Sequence, residues 1–177
     1  MPLASSFCPN HSMVLRSFSK IATPGIRLGL VTGKTEWIEA INTVKQATDL
    51  HSSAPMQAVL FALLQHGAFP FHLEKLRKLY QQRYQALVNN LKLTLPVTCQ
   101  VTPVDGGMFI WLLLPNCDVD ALAKSALENG VAVVQSSVFY QDRRNVKPAL
   151  RLNFTNANVE ALAEEIERLS KVIEEFC

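Results

Sequence analysis

The sequence predicts an α/β chain, and three observations carry that expectation. Several stretches repeat apolar residues at spacings of three and four, as helices do. Between them lie short runs that alternate or are wholly apolar, bounded by Gly, Pro, Asn or Asp, as strands are. After Pro96 the two kinds follow in the order β-β-α-β-β-α, which reads as a compact α/β unit. The composition agrees, since 49% of the 177 residues are hydrophobic and 18% charged, which excludes intrinsic disorder. A chain of this length buries roughly 70% of its unfolded surface, enough for one sizeable core or two small ones.

Met13-Val14-Leu15 begins a buried strand that ends near Lys20. Ile26–Thr32 reads as a second strand, punctuated by Gly25 and Gly33. A helix over Lys34–Leu50 follows from the spacing of Trp37, Ile38, Ile41 and Val44. Ser52-Ser53-Ala54-Pro55 is a cap with proline in the first turn, opening a helix through Leu64 that stops near Gly67. Pro70 breaks the pattern. A longer helix then runs from about Phe71 to Leu93, with an apolar stripe of Leu73, Leu76, Tyr80, Tyr84, Leu87 and Leu91. Its other face, with Lys75, Arg77, Lys78 and Arg83, reads as solvated.

Beyond Leu95-Pro96 the composition changes. Val97, Cys99 and Val101 alternate with Thr98, Gln100 and Thr102, a half-buried strand. Asp105-Gly106-Gly107 signals a turn, and Met108–Leu114 reads as a fully buried strand. Val119–Asn129 is a short amphipathic helix stopped by Gly130, and Val131–Val134 is another strand. Leu150, Leu152 and Phe154 alternate with Arg151, Asn153 and Thr155, and a last helix carries Val159, Leu162, Ile166, Leu169, Ile173 and Phe176 on one face. The expected division is therefore 1–96 and 97–177. The first part has two strands and three helices, too few strands for a sheet of its own, so a further segment is expected upstream.

Several function classes drop out. Seventeen Lys and Arg stand against fifteen Asp and Glu, a net charge of +2. That is too weak to argue for nucleic acid or an anionic membrane. The longest apolar runs, Ala58–Leu64 and Met108–Leu114, have seven residues each, against about 20 for a membrane span. Residues 1–20 lack the pattern of a signal peptide. Cys8, Cys99, Cys117 and Cys177 form no CxxC pair and read as free thiols of a reducing cytoplasm. His11, His51, His66 and His72 have no second ligand at metal-binding spacing, so no metal is expected.

The stretch with chemistry is Ser17-Phe-Ser-Lys20-Ile-Ala-Thr-Pro24-Gly25-Ile-Arg27-Leu-Gly29. A lysine at a strand end, flanked by hydroxyls, is a setting in which an amine can be desolvated for imine formation. Two hydroxyls and a guanidinium suit a dianionic phosphate. Pro24 and Gly25 turn the chain so that Arg27 points back toward the lysine.

This spacing resembles the lysine signature of fold-type I pyridoxal-5′-phosphate (PLP) enzymes, the class I/II aminotransferases. More narrowly it resembles the 2-aminoadipate/kynurenine branch, where S-F-S-K-x-x-x-P-G-x-R-x-G is characteristic. The long basic helix with Arg83, the strand holding Gly106-Gly107-Met108-Phe109 and Trp111, and Leu150–Thr155 (L-R-L-N-F-T) are similar to that branch in the same order. The resemblance covers essentially the whole chain.

It implies a fold and a site. The chain is expected to be the C-terminal part of the PLP-transferase large domain, followed by the small α/β domain. Lys20 matches the lysine that carries PLP and moves the proton in the 1,3-shift. Ser17, Ser19 and Arg27 match the phosphate ligands. Arg151 matches the arginine that grips the substrate α-carboxylate. With Leu150, Leu152 and Phe154 inward, alternation turns Arg151 to the opposite face, the cleft side. The implied activity is amino-group transfer from an amino acid to a 2-oxo acid, by a cytoplasmic homodimer.

Two departures stand out. Where the family usually has a proline-glycine pair, this chain reads Gln135-Ser136-Ser137, in a loop that shapes the entrance to the site. The family's phosphate loop, ring-stacking aromatic and ring-nitrogen aspartate all lie upstream of the lysine and are not recognisable here, so this chain alone is expected to transaminate little or not at all. The same fold also forms the effector-sensing half of winged-helix regulators of the GntR/MocR type, which is the alternative reading. A truncated gene product is compatible with either.

Overall fold

A computed structural model of the chain describes residues 3–142 and 146–176. They pack as two compact units that divide between Glu74 and Lys75.

The first unit begins with strand β1 (Val14–Ser17), paired antiparallel with β2 (Gly29–Thr32). Ser17 lies opposite Gly29. A Cβ on Gly29 would sit 3.0 Å from the Arg16 carbonyl oxygen, so this close approach admits only glycine without moving backbone. Helices α1 (Thr35–Thr48) and α2 (Ala54–Gln65) follow. Ser53 caps α2 by accepting the Met56 N–H, and Pro55 stands in its first turn. The core here is small. Ile26, Leu28 and Leu60 are buried, with Phe18, Ala22 and Met56 packed against them. Leu15, Leu30, Phe61 and Phe71 are exposed.

Helix α3 (Ala68–Thr94) starts earlier than the sequence suggests and contains Pro70. Proline is tolerated there because first-turn N–H groups have no partner within the helix. The packing boundary falls inside α3 rather than at Pro96. Leu87 and Leu91 are buried in the second unit's core, and Tyr80 and Tyr84 pack against it, so the C-terminal part of the helix goes with the strands that follow.

The second unit adds β3 (Gln100–Val101), β4 (Phe109–Leu113), α4 (Val119–Glu128), β5 (Val134–Gln135), β6 (Ala149–Asn153) and α5 (Val159–Phe176). That is the expected β-β-α-β-β-α order. The strands form one antiparallel sheet in the order β3-β4-β6-β5. Ile110 pairs with Leu152 and Leu112 with Leu150. These four join Leu122 and Ala126 of α4 and Leu162, Ile166, Leu169 and Ile173 of α5 in a continuous core. The opposite face of the central strands carries Phe109, Trp111 and Leu113 beside Arg151 and Asn153.

Several expectations are corrected. The 108–114 segment is buried on one side only, because alternate residues point to the sheet face that the unit's own helices leave open. Val97 is exposed, and only Gln100–Val101 pairs as a strand. Ile26 lies in a 3-10 turn (Pro24–Ile26), not in a strand, because Pro24 fixes φ at its start. Arg83 is not a solvated charge, since its guanidinium donates to the Thr155 carbonyl. Cys8 and Cys99 are free thiols, but Cys117 is disulfide-bonded; linear spacing says little about which sulfurs the fold joins. Cys177 lies outside the described residues. No helix among the described residues is long and apolar enough to cross a membrane, and none of their acidic, His and Cys side chains group as a metal site.

Candidate functional site

The hairpin of the first unit does not close in a tight turn. Residues 18–28 form a wide loop between β1 and β2, held open by its own hydrogen bonds. The Phe18 N–H donates to the Leu28 carbonyl at 3.2 Å, which extends the strand pairing by one step. The Ile21 and Ala22 N–H groups then donate back to the Phe18 carbonyl at 3.3 and 2.9 Å. That turn carries Ser19 and Lys20. Its anchor is apolar, since Phe18, Ala22, Ile26 and Leu28 all join the small core.

Four expected site residues stand on this one loop or at its edge. The Ser17 hydroxyl accepts the Ser19 N–H at 3.3 Å. Lys20 follows directly and is exposed, so the described residues do not supply the desolvation its setting suggested. Arg27 closes the 3-10 turn with φ +50° and ψ +42°, the left-handed region. A non-glycine residue rarely sits there, at about 1–2 kcal/mol. Its neighbours compel it: Ile26 and Leu28 are both buried, and the chain must reverse between them while Arg27 stays outside.

The fifth residue, Arg151, belongs to the second unit. It lies on β6 opposite Trp111 of β4 on one side and Val134 of β5 on the other. As alternation requires, it faces away from the core that Leu150 and Leu152 enter. Its Nε is buried and has no hydrogen-bond partner among the described residues. Its guanidinium carbon lies 4.3 Å from the centre of the Phe109 ring and 4.6 Å from that of Phe139, over the face of each. Neither ring was singled out for a site from the sequence. The usable signal was that Phe109 alternates with Ile110 and so shares the face of Trp111.

Phe139 rides on a 3-10 turn, Ser136–Phe139, directly after β5. This is the Gln135-Ser136-Ser137 segment. Ser136 is buried, donates to the Lys147 carbonyl at 2.9 Å and accepts the Ala149 N–H at 3.1 Å. Ser137 donates to Asp120 in the first turn of α4. The two serines tie the turn to β6 and α4. The end of β6 is fixed as well: Asn153 Oδ1 accepts the Thr155 and Asn156 N–H groups at 2.8 and 3.1 Å.

The model of the family described as "Aminotransferase class I and II" matches residues 7–166 of the chain. The chain belongs to that family. Aromatic-amino-acid aminotransferase 1 of Thermococcus litoralis is 33% identical over 162 residues, which cover 91% of this chain and 39% of that protein. Among solved structures, Pyrococcus horikoshii kynurenine aminotransferase, in complex with PMP, superposes with a TM-score of 0.87 at 35% identity. That match covers 94% of this chain and 41% of that one. A different relative, an uncharacterized HTH-type transcriptional regulator of Bacillus subtilis, YdfD, is 29% identical over 94% of this chain and 34% of its own length. The chain thus spans about two fifths of the length of the aminotransferases it matches.

Proposed function

We propose that this chain is the C-terminal portion of a PLP-dependent aminotransferase that moves an amino group from an amino acid to a 2-oxo acid. On this reading residues 1–96 end the cofactor-binding large domain and residues 97–177 form the small domain, against which the C-terminal part of α3 packs. The whole enzyme would be a cytoplasmic homodimer.

The donor set of the first loop fits the cofactor. A primary amine, two hydroxyls and a guanidinium stand on one loop, and they match an aldehyde and a phosphate dianion in chemistry. Lys20 would hold the cofactor covalently, and Ser17, Ser19 and Arg27 would hold its phosphate. When bound, PLP supplies an electron sink that acidifies the substrate's α-hydrogen. Lys20 would take and return that proton at Nζ. Arg151 grips the α-carboxylate through a bidentate fork and so orients the substrate's amino group.

The observation that carries this reading is the Arg151 guanidinium. A buried nitrogen donor without a partner costs free energy until a ligand supplies the acceptor, and a carboxylate is the acceptor whose two oxygens fit the fork. In the complete enzyme, Arg151→Ala raises KM for amino acid and 2-oxo acid alike, by about 10- to 100-fold from the loss of a charged hydrogen-bonded pair. Arg151→Lys falls in between, because it keeps charge and loses the fork. Cofactor attachment at Lys20 is unaffected in both. Unchanged KM in Arg151→Ala would remove the carboxylate role.

The match to an HTH-type regulator favours a second reading, an effector domain that binds PLP and an amino acid without turnover. Steady transamination by the complete protein excludes it. Sequence-specific DNA binding that responds to an amino acid, with no turnover, supports it.

A further inference from the structure

We propose that Phe109 and Phe139 are positioning residues that hold the Arg151 guanidinium in place for its carboxylate ligand. This rests on the reading of Arg151 as a carboxylate ligand and adds to it a device that fixes the fork.

A guanidinium is flat, and its five N–H bonds lie in its plane. A carboxylate bound bidentately lies in that same plane. Aromatic rings attract the guanidinium without accepting any of its N–H bonds, so they do not compete with the carboxylate for donors. Phe109 and Phe139 each present a ring face to Arg151, at 4.3 and 4.6 Å from ring centre to guanidinium carbon. Both distances lie well inside the range of a cation–π contact. The rings come from different places. Phe109 is fixed on β4, one pleat from Trp111. Phe139 is on the turn after β5, and its ring meets the Trp111 indole edge-on at 5.3 Å.

The arrangement also sets an arginine whose Nε has no hydrogen-bond partner among the described residues against two aromatic rings. No carboxylate among the described residues pairs with it. The rings supply attraction without consuming a single N–H, so the donors stay available. A salt bridge from the protein would order the side chain equally well and would compete with the ligand. Trp111 backs Phe139, and Ser136 anchors the turn that carries it.

The test uses the 177-residue chain, with pyruvate as the probe and the Arg151 Nε–H NMR signal as the readout. Ring currents at this distance displace that proton's signal, so Phe139→Leu shifts it. The same substitution weakens pyruvate by about three- to ten-fold, the value of one partly desolvated cation–π contact. Phe109→Leu does likewise, and Phe139→Tyr, which keeps the ring, restores both readings. Phe139 is 46% exposed, so its truncation leaves the core intact, and unchanged far-UV circular dichroism checks this. If Phe139→Leu shifts neither the signal nor the affinity while Arg151→Lys weakens pyruvate, the clamp is wrong and the carboxylate role stands. If pyruvate binds Arg151→Lys and Arg151→Ala as tightly as the parent chain, the carboxylate role fails and the clamp with it.

Discussion

Ser136→Ala removes one oxygen atom from a place where it does two jobs. Its residue is 1% exposed. Its hydroxyl donates to the Lys147 carbonyl at 2.9 Å and accepts the Ala149 N–H at 3.1 Å. Ala149 is itself 2% exposed, so water does not replace the lost acceptor. An orphaned buried donor costs about 1–3 kcal/mol, more than the net value of the bond itself. With an ordinary urea dependence of about 1–3 kcal/mol per molar, the unfolding midpoint falls by about 1 M. The chain has two tryptophans, Trp37 in α1 and Trp111 in β4, so a Trp37→Phe background makes fluorescence report the second unit alone. Ser136→Thr keeps the hydroxyl and loses less than Ser136→Ala. A midpoint shift below about 0.3 M in Ser136→Ala, with an unchanged slope, would refute the claim that this hydroxyl anchors the turn carrying Phe139.

Two other predictions concern the backbone and the thiols. In a Trp111→Phe background read at Trp37, Arg27→Gly is more stable than Arg27→Ala by about 1–2 kcal/mol, because only glycine accepts φ +50° without strain; equal stabilities would show that the left-handed conformation is not strained. Burial pushes the Cys99 thiol up in pKa, against a smaller opposing effect of its hydrogen bond with Thr98. A raised pKa means less thiolate at a given pH, so iodoacetamide modifies Cys99 more slowly than the exposed Cys8. The Cys99 rate keeps rising at pH values above its ordinary titration range; equal rates at pH 8 would contradict the burial.

The element order was legible because long amphipathic periods survive any tertiary context. Helix α5 shows why: Leu162, Ile166, Leu169 and Ile173 sit on one stripe in the sequence and are all buried in the structure. Short strands were less legible. β3 and β5 have two residues each, and their limits are set by partners elsewhere in the chain rather than by local pattern. The run 108–114 could not reveal that one of its faces stays open, since Phe109, Trp111 and Leu113 are as apolar as the residues that enter the core. The lysine loop was legible as a motif, but not the left-handed Arg27 or the exposed Lys20. The ring pair around Arg151 was legible only in the alternation that sets Phe109 on the face of Trp111, because the pair joins residues of β4, β6 and the 136–139 turn. Arg83 was misread for the same reason: its acceptor, the Thr155 carbonyl, is brought to it only by folding.

The central claim is that Lys20 carries the cofactor, and covalent trapping tests it most directly. The complete protein is incubated with PLP, reduced with borohydride, digested and mapped by mass spectrometry. The expected product is a phosphopyridoxyl group on Lys20, lost in Lys20→Ala and weakened in Arg27→Ala. A label on another lysine with Lys20 unmodified would contradict it.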